Sequence, residues 1–159
     1  MDLESVVLGG FLATLLLTTL LAAAQELGWS RMSLPFLLGT MFTPDRHRAM
    51  VLGFALHFLN GWLFALLYAW IFELVGRADA IFGALLGFGQ SLFVLITLMP
   101  LLPYLHPRMA SEHQGPEPTR ALEPPGFLAL NYGRTTPLVT VLAHFAYGAV
   151  IGYMYRLGA

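Results

Sequence analysis

The chain has no cysteine and no lysine, and only 11% of its 159 residues are charged. Without cysteine there is no disulfide, thiolate metal site, cysteine nucleophile or covalent c-type haem attachment. The eight basic residues are all arginine and form no run that could track a phosphate backbone, so nucleic acid is excluded as a partner. There is no nucleophile elbow, phosphate-cradling glycine loop or HExxH either, which leaves an enzyme without support. The shortage of charge also excludes a wet surface, because soluble domains carry roughly a quarter charged residues. Here 57% are hydrophobic and the mean hydropathy is +0.70.

What the chain does hold is four long runs free of Asp, Glu and Arg, at 6–24, 50–72, 80–105 and 135–155. About 20 apolar residues cross a bilayer core, where each span must satisfy its own backbone, and no period-2 alternation points to a barrel. The expected fold is an all-α integral membrane protein, a single four-helix transmembrane bundle over 1–159. Ala22-Ala23-Ala24 looks like a cleavage site, but the acidic Met1-Asp2-Leu3-Glu4-Ser5 is not a signal-peptide start, so the first helix is read as retained. No myristoylation or prenylation motif is visible.

Six arginines (31, 46, 48, 108, 120, 134) fall in the first and third connections, against Arg77 and Arg156 on the other side. The positive-inside rule puts loops 25–49 and 106–134 in the cytoplasm and both termini outside. This is the pattern of a cell-membrane protein of the bacterial inner-membrane type, and in size and hydropathy alone the chain resembles small bacterial four-helix membrane proteins. The 106–134 connection is rich in proline, which forbids a continuous helix. Each loop also holds an apolar piece too short to span, 35–39 and 125–130, expected to lie in the interface or dip over the bundle.

Residues 56–61 read LHFLNG and 143–148 read AHFAYG. With His57 on His144, Phe58 meets Phe145, Gly61 meets Gly148 and Tyr68 meets Tyr155, four identities in twelve positions. The first and third runs align more weakly, Gly9 with Gly83, which is the signature of two tandem helix-pair repeats related by an axis along the membrane normal. Helical rise puts His57 and His144 roughly 12 and 10 Å from the loop end of their helices. Asn60, Gly61, Tyr147 and Gly148 lie within about 60° of them, so each helix carries a polar, glycine-lined stripe that belongs inside a bundle.

Buried histidines in a span ask for a partner. The bland reading is hydrogen bonding between helices. The sharper one makes His57 and His144 ligands for haem or a transition metal, with Tyr147, Asn60, Gly61 and Gly148 around the cofactor. Further metal ligands would be His106 and Glu26, which sit about 10 Å shallower and need a kink or an inward loop. Pro100 and Pro103 supply a reason for such a kink. Asp45 to Arg48 reads as a lipid-phosphate contact, and Glu112, His113, Glu117 and Glu123 as a solvated loop or a surface metal site.

Gly83-x-x-x-Gly87, Gly148-x-x-x-Gly152 and Gly9-x-x-x-Ala13 permit close helix approach, either within the chain or in a homo-oligomer or larger membrane complex. The leading functional expectation is a structural, accessory or assembly role in the lipid bilayer. The alternatives are a haem- or metal-binding membrane protein and a module that binds lipid or a small apolar solute.

Overall fold

The computed structural model describes residues 1–111 and 118–158. The loop positions Glu112, His113 and Glu117 lie outside the described residues. Four helices are long and apolar enough to cross a membrane: α1 (Leu3–Glu26), α3 (Arg46–Val75), a composite third helix over Ala80–Leu105, and α6 (Thr136–Met154). Between them sits the short α2 (Leu34–Thr40). The expected spans recur with slightly different ends, and α3 begins four residues early, taking Arg46, His47 and Arg48 into its first turn.

The three aspartates of the chain all serve as N-caps. Asp2 accepts from the Glu4 and Ser5 amides, Asp45 from Arg48 N at 2.8 Å, and Asp79 from Phe82 N at 2.9 Å. Each thereby satisfies backbone donors that a helix start leaves unpaired. Gly76 ends α3 in the left-handed region (φ 68°), so the chain reverses in a few residues. The composite helix runs as α4 (Ala80–Phe93), a π turn over Val94–Leu98, and α5 (Met99–Leu105). Pro100 and Pro103 have no N–H to return to the preceding turn, and the widened π turn just before them is how the helix absorbs that loss.

Two tight helix pairs form the frame. In the α4–α6 pair, a side chain at Gly83 or Gly148 would strike the other's carbonyl, and one at Gly87 would strike that of His144. In the α1–α3 pair, Gly10 meets Ala65 and Trp62, and Gly61 meets Thr14. The glycine motifs that allowed an external partner are therefore used between helices of one chain, where dispersion contacts at close range replace the missing hydrophobic drive. The two pairs make the same kind of contact, Gly10–Ala65 and Thr14–Gly61 in one, Gly83–Gly152 and Gly87–Gly148 in the other.

The pairs meet along two seams of different character. Helices α1 and α6 pack along their length, with Gly9 against Met154, and are stapled at the loop end. There the Ser30 and Thr136 hydroxyls lie 2.9 Å apart, the Thr135 hydroxyl donates to the Trp29 carbonyl, and Arg31 N donates to Tyr132 O at 2.7 Å. Helices α3 and α4 barely approach beyond their connecting turn. Side chains bridge them instead: Phe72 and Phe82 in ring contact at 5.8 Å, and Tyr68 donating to Gln90 Oε1 at 2.7 Å.

The apolar piece at 35–39 is neither extended nor lying free, because it is helix α2 and it folds back on the first turns of α3. Gly39 abuts Ala49 and Gly53 abuts the Pro35 carbonyl, both too close for a side chain. The other piece forms a 3₁₀ segment over Phe127–Tyr132, in which Leu128 and Ala129 hold left-handed φ of 54° and 57°. That conformation costs a non-glycine residue about 1–2 kcal/mol. Ala129, fully buried, is held there by packing against the bundle.

Candidate functional site

The widely spaced α3 and α4 leave a cavity of about 210 Å³ at the loop-end half of the bundle. Both histidines line it, His57 from α3 and His144 from α6, together with Asn60, Gly61, Gln90 and Tyr147. The rest of the wall is mostly apolar, supplied by Thr14 and Leu17 of α1, Leu34, Leu37 and Leu38 of α2, Phe64 of α3, the π turn (Val94, Leu98) and α5. Helix α2 thus closes the loop end of the cavity, and the π turn shapes its side.

The two imidazoles are held differently. His144, 4% exposed, has its Nδ1 2.8 Å from the Thr140 carbonyl one turn back. A carbonyl only accepts, so Nδ1 carries the hydrogen and Nε2 of the neutral ring is left as an acceptor. His57 is 7% exposed, and among the described residues its Nε2 has no hydrogen-bond partner. The Thr140 hydroxyl is likewise buried without one. Buried polar groups left unpaired are uncommon, and each one calls for an explanation.

Tyr147 ties the two histidine stripes together. Its hydroxyl donates to the Gly61 carbonyl at 2.5 Å, and its ring stands edge-on to Tyr68 at 5.8 Å. Asn60, one turn from His57, is exposed at the opening of the site. On the outer face of the α3–α4 seam lies a groove formed by Leu67, Ile71, Leu85, Gly89 and Phe93, among others. Phe64 and Gln90 line both groove and cavity, so the two spaces adjoin at these side chains.

No protein-family model matches the chain, and neither a curated protein nor a solved structure matches it at a significant level.

Of the residues singled out in the sequence, His57, Asn60, Gly61, His144 and Tyr147 come together at the cavity, and three do not. Gly148 faces Gly83 in the α4–α6 contact. Glu26 is exposed at the end of α1. His106 is buried but occupied: its Nε2–H reaches the Leu37 carbonyl at 3.0 Å and the Thr40 hydroxyl at 3.2 Å, while Nδ1 accepts from Arg108 N at 3.1 Å. Burial pushes its pKa below the ordinary histidine value, opposed in part by the bond to Leu37. Arg108 adds bonds to the Thr40 and Met41 carbonyls, so these two residues clamp the exit of α2. Among the described residues no three His, Asp or Glu side chains gather as a metal site would need.

Sequence reasoning did not find Thr140, whereas α2 realises one of the two placements expected for 35–39, dipping over the bundle. Thr140 lies four residues before His144 on the same helical face, a spacing that was available. The α2 contact had a weaker signal, the small residues Gly39, Ala49 and Gly53.

Proposed function

We propose that this small polytopic membrane protein binds a small apolar molecule drawn sideways from the bilayer, held between α3 and α4 beneath the His57–His144 pair. One observation carries the reading: a largely apolar cavity with a few converging polar groups adjoins, at Phe64 and Gln90, a groove on the outer face of the α3–α4 seam. That is the general form of a ligand site. Its volume, about 210 Å³, exceeds the roughly 150 Å³ that suffices for benzene. It falls below the roughly 300–1,000 Å³ typical of drug-sized ligands. A ring or chain end fits there. The arginine-rich loops support an orientation with α2 and the adjoining end of the cavity on the cytoplasmic side and the termini outside.

The test is extraction of the protein in native bilayer discs, followed by mass spectrometry of what it retains. A defined small apolar species near one per chain, lost in the cavity-filling Leu102→Trp variant, is the expected result. Bulk lipid alone, in equal amount for both proteins, would overturn the proposal.

A second reading keeps the histidines as metal ligands. It is favoured by the Thr140 bond, since metal-bound imidazoles almost always donate their other N–H to a carbonyl, carboxylate or water. His57 and His144 would supply two ligands and the bound molecule the rest. Metal content that falls in the His57→Ala/His144→Ala double variant supports it, and a metal-free wild type rejects it. An accessory role in a larger membrane complex is compatible with either reading.

A further inference from the structure

Helix α5 lies between two unfilled spaces. Met99, Leu102 and Leu105 line the cavity, while Pro100, Pro103 and Tyr104 line a separate cleft of about 270 Å³ shared with Phe127 of the 3₁₀ segment. Close-packed elements leave no such room. The flanking elements are fixed, since Gly83 and Gly87 lock α4 onto α6, and Gly39 and Gly53 lock α2 onto α3, each too close for a side chain. Between the last locked glycine and α5 stands the π turn, followed by Pro100 and Pro103, so the hydrogen-bond ladder that would stiffen this joint is interrupted. The backbone of α5 packs closely on the 3₁₀ segment and on no other spanning helix. Just past its far end, polar ties run to α2: His106 Nε2–H to the Leu37 carbonyl, and Arg108 to the Thr40 and Met41 carbonyls.

That latch holds a neutral imidazole. The ring is 1% exposed, α2 brings no titratable side chain, and among the described residues Arg108 is the one charged group acting on it. A proton on Nδ1 breaks the bond from Arg108 N and buries a second positive charge beside the first, which favours release of the ring to water. The bond to the Leu37 carbonyl opposes this only in part. We infer that α5 is a gate on the cavity, hinged at the π turn and latched by His106, which swings into the cleft and opens the loop end when the ring takes a proton. The gate rests on the ligand-site reading for its purpose, but its motion needs no ligand, so either can fail alone.

The test puts a single reporter thiol on the cavity face of α5, Met99→Cys, in a chain that has no cysteine of its own. Its reaction with a charged, water-soluble methanethiosulfonate is followed in lipid nanodiscs, with rates corrected for thiolate fraction against free cysteine. Met99 is buried, so the closed gate protects it. The expected result is a rise of at least several-fold from pH 7.5 to pH 5.5, with no rise for Ala13→Cys, buried in α1. The rise should vanish in His106→Gln, whose amide can still donate to Leu37 and does not titrate. Leu102→Cys, on the same face, takes the reporter's place where Met99→Cys does not fold. A reporter rate that does not change with pH, an equal rise in Ala13→Cys, or a rise that survives His106→Gln would overturn the gate.

Discussion

The two seams between the helix pairs join equivalent partners and end differently. At α1–α6, small residues and buried hydroxyls bring the backbones together, and loop hydrogen bonds close the lower end. At α3–α4 the backbones stay apart, a tyrosine and a phenylalanine span the outer half, and the inner half is a cavity. The difference teaches that two helix pairs closed by the same kind of small-residue contact need not yield a symmetric bundle. Large side chains at Phe64, Tyr68 and Phe72 prop one seam open where glycine and alanine shut the other contacts.

The comparison breaks most severely at the closed contacts. Gly83→Leu forces a side chain against the Gly148 carbonyl, and the expected destabilisation is about 3 kcal/mol or more, read as loss of folded protein on detergent–SDS titration. Gly89→Leu is the matched control, since nothing lies within 4 Å of an added Cβ there; it should shift stability by no more than about 1 kcal/mol, towards stability through better helix propensity. Tyr147→Phe removes a second hydrogen bond to the Gly61 carbonyl, which keeps its helical one, and should cost about 1 kcal/mol in the same titration.

Smaller effects sharpen the contrast. Tyr68→Phe removes the bridge to Gln90 and should cost about 0.6 kcal/mol while widening access to the cavity. Such access reads as faster modification of a cysteine introduced at Leu98 by an apolar thiol reagent. At the loop end, His106 has a lowered pKa, so the folded state binds its proton less readily than the unfolded chain. The stability this contributes is present above the ordinary histidine pKa of about 6.5 and is lost as pH falls below it. Protonation at Nδ1 also breaks the bond from Arg108 N. The Arg108 amide should therefore exchange faster, after correction for intrinsic rates, as pH drops from 7 to 5, with no such change in His106→Gln.

Much of this fold was legible because a bilayer imposes length and apolarity on each span, and the four runs could be read directly. The meeting of His57 and His144 was also legible, from helical rise and a repeated stripe. Which seam would open was not. That choice depends on how Phe64, Tyr68 and Phe72 fill space between axes, and side-chain volume on a helix face does not reveal its partner. Gly148 shows the same limit from the other side, since a glycine one turn from a histidine serves equally to make room for a ligand or for a helix, and here Gly83 takes the room. His106 looked like a ligand because a histidine near a membrane boundary has many uses. Only its contacts with Leu37 and Arg108 assign it to the α2 clamp.

The central claim is that the α3–α4 seam admits apolar molecules from the bilayer and the α1–α6 seam does not. A small diazirine probe dissolved in the membrane, photolysed and mapped by peptide mass spectrometry, tests it most directly. The account predicts carbene labels on Asn60, Phe64 and Leu102 and none on Ala13 or Ala143. Protection of the cavity residues to the level of Ala13 and Ala143 would contradict it.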